Sequence, residues 1–197
     1  QARVKSSEFL FDMPAVSLNE QRDERRRTLK ERCEKAASLV SAHKGSSVSW
    51  CSLNNEGDLL EQIIPDCVQV SGKNSDEEKE ESFDAFQKGE IKNMITKPDI
   101  AGFGLNWQHC NHQTYFPSHS FEQWYQCIRR SWRFGQKKPV HVDIISSEGE
   151  ARVMANLQRK ASSAEEMFNH LIELMNKELK IEIKNPFNQK LKKPSWL

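Results

Sequence analysis

Short apolar or β-branched runs alternate along this chain with stretches whose apolar positions recur every three or four residues. The runs fall at Val48 to Ser52, Val68 to Ser71, Asn93 to Thr96, Thr114 to Phe116 and Val140 to Ile145. Helical patterns separate most of them, so the order predicts an α/β fold: a mainly parallel sheet of about five or six strands with helices on its faces. Local signals fix the helix starts. Ser17-x-x-Glu20 is a capping box, followed by the stripe Leu29, Cys33, Ala36, Ala37 and Val40. Ser75-x-x-Glu78 opens a second helix with Phe83 and Phe86 inward, and Gly89 ends it. Ser120-x-x-Gln123 opens a third, closed by Gly135. Ser147-x-x-Glu150 starts a long helix with apolar positions from Val153 to Leu179, which Ser162 and Ser163 could interrupt.

These signals divide the chain into an arm over residues 1–17, a lobe over 18–146, a bracing helix over 147–184 and a basic tail over 185–197. The arm has Phe9, Leu10, Phe11 and Met13 without a clear period. A first residue of Gln, in place of an initiator Met, suggests a piece of a longer polypeptide.

The third helix carries the chemistry. At 3.6 residues per turn Gln126, Arg130 and Arg133 fall within about 60° of one another, with Phe121, Trp124, Ile128 and Trp132 opposite. That pattern predicts one buried apolar face and one face that grips an anion, because the guanidinium is a permanently charged fork suited to phosphate. A basic amphipathic helix with no ligand fits the spacing equally well.

Formal net charge is +1 over 197 residues, which points to no global attraction for nucleic acid or membrane. Charge is uneven, however. The run Asp76 to Glu90 is mostly acidic, whereas Gln123 to Val142 holds Arg129, Arg130, Arg133, Lys137 and Lys138 and no carboxylate. Any anion site is therefore local. Five widely spaced cysteines, mostly in apolar runs, argue for reduced thiols in a cytosolic or nuclear protein. No apolar run approaches the roughly 20 residues of a membrane span.

Directly after the third predicted strand lies ITKPDIAGFGLNWQ, Ile95 to Gln108. Gly102 and Gly104 allow close backbone approach, and ligands of open α/β sheets bind beyond the carboxyl ends of strands. The order AGFGLNW followed by QCIRRSWRFGQ resembles motifs V and VI in the C-terminal RecA-like lobe of superfamily 2 helicases, in the branch of chromatin-remodeller-like double-stranded DNA translocases. In wording it is most similar to the phage and prophage helicases of that branch, which implies a bacterial or phage-encoded cytoplasmic protein. The resemblance covers about Val48 to Ile145, and VSWCSLNNEGDLL with VQVSG is similar to motifs IV and IVa.

The resemblance implies roles. Arg133 becomes an arginine finger toward the γ-phosphate of ATP, Arg130 its phosphate-binding companion, and Gln126 a coupler of nucleotide state to lobe closure. Gly102, Gly104 and Asn106 become the loop that couples ATP to DNA, and Ser71, Gly72 and Lys73 contacts to the DNA backbone. Where the family has Ser-Thr ahead of the motif V alanine, this chain has Lys97 and Pro98, so Thr96 and Lys97 are the DNA-contact candidates there. No GxxxxGK[ST] loop or Mg²⁺-binding Asp-Glu motif occurs in these residues. The implied partners are duplex DNA and an N-terminal RecA-like lobe that would bind most of the ATP and Mg²⁺.

Three further features each allow two readings. His109, Cys110, His112 and His119 are zinc-ligand types, but their spacing matches no zinc block and they read as loop and packing residues. Trp124 and Trp132 read as core, while Trp107 is open between core and base stacking. The acidic run reads as a solvated helix face. Two functional classes follow: half of an ATP-driven motor, or a non-catalytic binding module that keeps the fold.

Overall fold

The computed structural model describes residues 18–101 and 105–179. In chain order the elements are α1 (Leu18–Arg27), α2 (Leu29–Ala42), β1 (Ser47–Trp50), α3 (Asn54–Ile63), β2 (Cys67–Val70), α4 (Asp76–Lys88), β3 (Asn93–Thr96), β4 (His112–Tyr115), α5 (Phe121–Ser131), β5 (His141–Ile144), a 3₁₀ turn (Glu148–Glu150) and α6 (Ala151–Leu179). All five expected strands form. They make one parallel sheet in the order β2-β3-β1-β4-β5, with Val48 beside Met94 and Gln113 and Trp50 beside Thr96 and Tyr115.

The pleat sends alternate residues to opposite faces. Val48, Trp50, Val70, Met94 and Tyr115 meet Phe83 and Phe86 of α4, Cys127 of α5 and the loop residues Ala101, Trp107 and Cys110. On the other face Ile95 joins Cys33, Ala36, Ala37 and Val40 of α2 and Leu60 of α3. Two apolar layers thus enclose the sheet. Complete burial of a side chain such as Val48, Leu60 or Phe86 contributes about 1.5–3 kcal/mol each. Two polar pairs lie inside the sheet: Trp50 Nε1 donates to Gln113 Oε1 at 2.9 Å, and Thr114 Oγ1 to Ser49 Oγ at 2.8 Å.

Caps act largely as the sequence predicts. Ser75 Oγ accepts from Glu78 N while Glu78 Oε2 accepts from Ser75 N, and Gly89 ends α4 at φ +80°. Ser120 Oγ accepts from Gln123 N at the start of α5. The first predicted helix is instead two. Thr28, at φ −93° and ψ 7°, separates α1 from α2, and its Oγ1 back-bonds the Glu24 carbonyl at 2.8 Å, which also receives Thr28 N at 2.9 Å. Glu56 replaces a hydroxyl cap on α3, its Oε2 accepting from Ser52 N and Leu53 N at 2.8 Å each. Arg32 Nη1 reaches Oε1 of the same carboxylate at 2.7 Å.

The chain divides into two compact units, one ending at Arg159 and one beginning at Lys160. α6 runs unbroken through Ser162 and Ser163. Its part in the second unit has Phe168, Leu171 and Ile172 at helical spacing. The arm over 1–17, including Ser17, and the tail over 185–197 lie outside the described residues.

Candidate functional site

The aromatic floor of the site comes from two elements distant in sequence. Trp50 ends β1, Trp107 sits in the loop before β4, and their rings stack at 5.5 Å with 27° between planes. Both are completely buried, which assigns Trp107 to the core. Arg130 lies over both rings, its guanidinium carbon 5.6 Å from the Trp50 centroid and 5.7 Å from that of Trp107. Its Nη1 donates to Ala101 O at 3.3 Å, and its own carbonyl accepts from Trp107 N at 2.9 Å. Burial lowers the Arg130 pKa from its usual value, and neighbouring Cys127 opposes that shift.

This arrangement corrects the helical wheel. The buried residues of α5 are Cys127, Arg130 and Ser131, so the arginine faces inward. Trp124 is only partly buried and packs against the core, while Trp132, expected in the core, is 55 % exposed. The wheel fails because it counts arginine as polar and cannot anticipate two indoles waiting beneath it.

Gln126 is exposed and shares a cavity of about 320 Å³ with Arg130, Pro98, Asp99, Ser120, Glu122 and Gln123. Gln123 ties its walls together, donating to Asp99 Oδ1 at 2.6 Å and accepting from Ser118 Oγ at 3.0 Å. The cavity lies beyond the carboxyl ends of β3 and β4, where ligands of parallel sheets bind.

Arg133 lies past the helix. α5 ends at Ser131, and Trp132 leaves helical geometry at ψ 83°, so helical spacing does not set the position of Arg133. It is exposed, and its Nη1 donates to Leu105 O at 3.3 Å. A turn follows in which Gln136 N donates to Arg133 O at 3.0 Å and Gly135 adopts φ +95°, a conformation that favours glycine. Gln136 Nε2 then staples the turn to Gln108 O at 2.8 Å and Ser131 O at 3.1 Å, while Gln108 Nε2 donates to Phe134 O. Gln108 is not among the candidates that the sequence offers, where its only signal is its place after the glycine loop.

Asn106 is exposed between Leu105 and the buried Trp107, whereas Gly102 and Gly104 lie outside the described residues. Ser71, Gly72 and Lys73 form a turn after β2: Ser71 N and Oγ both donate to Asn74 Oδ1, at 2.9 and 3.2 Å. Gly72 and Lys73 are exposed. Thr96 is 2 % exposed and its hydroxyl donates to Val70 O at 3.0 Å, so it is turned onto the neighbouring strand. Lys97 Nζ reaches Asn54 Oδ1 at 2.5 Å.

The histidines separate into packing roles. His112 lies between Ser47 Oγ at 2.9 Å and Asp143 Oδ2 at 3.0 Å, His119 bonds Gln21 Oε1 at 3.0 Å, and His109 meets the edge of Phe86. Among the described residues no group of three or more His, Cys, Asp or Glu could hold a metal ion.

Residues 24–135, from α1 to the glycine turn, match the helicase conserved C-terminal domain. The chain belongs to that family. The helicase domain is 26% identical over 189 residues to a Bacillus subtilis (strain 168) protein named "Putative ATP-dependent helicase/translocase YwqA", an alignment covering 86% of this chain. It spans only 20% of that relative's length. Among solved structures it resembles the C-terminal part of the Fun30 ATPase domain, with TM-score 0.56, 16% identity and coverage of 64% of this chain and 44% of that one. It also resembles S. cerevisiae Dbp5 bound to Gle1 and IP6, with TM-score 0.60, 15% identity and coverage of 68% and 37%. The C-terminal domain of the DEAD-box protein Dbp5 gives TM-score 0.57 at 16% identity, with coverage of 68% and 80%. These likenesses establish the RecA-like fold of a helicase C-terminal lobe. No helix among the described residues is long and apolar enough to cross a membrane.

Proposed function

We propose that this domain is the C-terminal half of an ATP-dependent DNA translocase, supplying arginines to a nucleotide held mainly, with its Mg²⁺, by an N-terminal RecA-like lobe. The observation that carries this reading is the division of labour between the two arginines. Arg130 is fixed under the loop that follows β3, beside Gln126, while Arg133 presents an exposed guanidinium from the stapled turn. Arg133 is the finger: a solvent-exposed fork can reach phosphoryl oxygens and neutralise the charge that develops on them. Arg130 is first a positioning residue, because its ring contacts and its bond to Ala101 hold α5 against Trp50, Trp107 and Ala101. Gln126, Asn106, Gly102 and Gly104 link nucleotide state to lobe closure. Ser71, Gly72, Lys73 and Lys97 contact the DNA backbone, and Thr96 supports them by anchoring β3 to Val70.

The test uses a polypeptide joining this chain to an N-terminal RecA-like lobe. It hydrolyses ATP faster with DNA, and Arg133→Ala lowers the rate by about 10³ to 10⁵ with unchanged urea unfolding. An unchanged rate refutes the finger. Comparing duplex DNA with duplex RNA as activator tests the DNA assignment, and the 197-residue chain alone shows no turnover.

One observation favours a second reading, a non-catalytic binding module. The burial of Arg130 over two indoles is a packing reason for that arginine that needs no nucleotide. In such a module Arg133→Ala changes nothing measurable.

A further inference from the structure

Beside the line Gln126, Arg130, Arg133 runs a second line one residue earlier: Tyr125, Arg129 and Trp132. Its members point outward. Tyr125 is 43 % and Trp132 55 % exposed, and the guanidinium carbon of Arg129 lies between their rings, 5.9 Å from Tyr125 and 5.3 Å from Trp132. Two residues on, Phe134 is fully exposed at the tip of the turn closed by Gln136 N and Arg133 O. Gln108 bonds Phe134 O, and Gly135 closes the turn at positive φ. Phe134 thus stands in water two residues beyond the exposed Trp132. Single exposed apolar residues are unremarkable, but Tyr125 and Trp132 are joined through Arg129, and grouped exposed rings mark interaction sites.

Charge identifies the occupant. From Gln123 to Val142 the sequence has no carboxylate, and Lys137 and Lys138 follow the turn, both exposed; the exposed Glu122, one turn before Tyr125, is the acidic residue of α5. Arg129 lies over both rings and is exposed, so its charge stays open to solvent. An acidic protein surface would satisfy the cations, but its carboxylates do not stack on the rings. A single nucleic-acid strand supplies both at every nucleotide, a phosphate for the cations and an unpaired base for a ring face.

We propose that Tyr125, Arg129, Trp132 and Phe134 form a stacking platform for unpaired bases of single-stranded nucleic acid, with Lys137 and Lys138 on its phosphates. The platform needs no nucleotide and no arginine finger, so it stands or falls separately from the proposed ATPase role. In a translocase it would hold a strand peeled from the duplex.

The test is fluorescence anisotropy of the 197-residue chain with a labelled dT strand of about 16 nucleotides, the upper end of such site sizes. Expected is saturable, salt-sensitive binding, weakened roughly tenfold by Trp132→Ala or Phe134→Ala and retained in Trp132→Phe and Phe134→Tyr. An abasic strand of equal length binds at least about fivefold more weakly than dT, the low end of one stacked base. Thermal unfolding confirms that the alanine variants fold. Absence of binding by the unaltered chain overturns the proposal, as does equal affinity for abasic and dT strands. So does unchanged affinity in the folded double variant Trp132→Ala, Phe134→Ala.

Discussion

Arg130 and Trp107 fix each other twice: the guanidinium lies 5.7 Å from the indole centroid, and Trp107 N donates to the Arg130 carbonyl at 2.9 Å. The side-chain contact sets where α5 sits, and the main-chain bond sets where the loop before β4 sits. Arg130→Ala therefore removes packing as well as charge, and the expected cost is about 2–4 kcal/mol in urea unfolding. Arg133→Ala, at an exposed side chain, should stay within about 0.5 kcal/mol. Equal stabilities of the two variants would show that the ring contacts contribute nothing.

A second buried arginine is paired with a carboxylate. Arg32 and Glu56 meet at 2.7 Å with 4 % and 0 % side-chain exposure, and Glu56 also accepts the two main-chain N–H groups that start α3. Removing one partner of such a pair strands a buried charge, so Glu56→Ala should cost about 3–5 kcal/mol. Arg32→Met combined with Glu56→Leu should recover part of that loss, though the Ser52 and Leu53 amides stay uncapped. A urea double-mutant cycle reads the coupling, and additive losses would deny it.

These two arginines mark where the sequence was legible and where it was not. The strands could be read because residues such as Val48, Met94 and Ile95 are buried within the layers and leave short continuous apolar runs. Ser75 and Ser120 could be read because a cap is a local event, settled within three residues. α3 lacks a hydroxyl cap, and its substitute depends on Glu56 and on Arg32 from another helix. Likewise the inward turn of Arg130 depends on Trp50 and Trp107, which no periodicity within α5 reveals. The arginine motif was visible as an order of residues; the separate settings of its two arginines were not.

The thiols should differ in reactivity. Burial pushes Cys33 up to about 12, with Glu56 adding to the shift, and Cys110 up to about 11; Cys51 and Cys127 are raised by burial as well. Cys67 is also raised but is only half-buried, with its Sγ 3.0 Å from Ile64 O. Because the thiolate is the nucleophile, a disulfide reagent at pH 8 should modify Cys67 first and the other four only in urea. Peptide mapping after timed quenching checks the order. Early labelling of Cys33 or Cys110 would contradict the burial seen here.

Acid should destabilise the domain before its carboxylates protonate. His43 stacks on His112 at 4.8 Å, and burial, with His112, His141 and Lys138 adding repulsion against a hydrogen bond to Asn111, holds its pKa below the usual 6.5. His109, against Phe86, is lowered by burial alone. A histidine with a lowered pKa in the folded state takes up its proton more readily when unfolded. The stability it contributes is thus complete above about 6.5 and is lost as pH falls through 6.5 toward the folded value. Thermal midpoints measured from pH 8 to 5 should fall over that window. His43→Phe keeps a ring on His112 and removes one titration, so its midpoint should decline less steeply below pH 6.5. A parallel decline in variant and parent would place the proton uptake elsewhere.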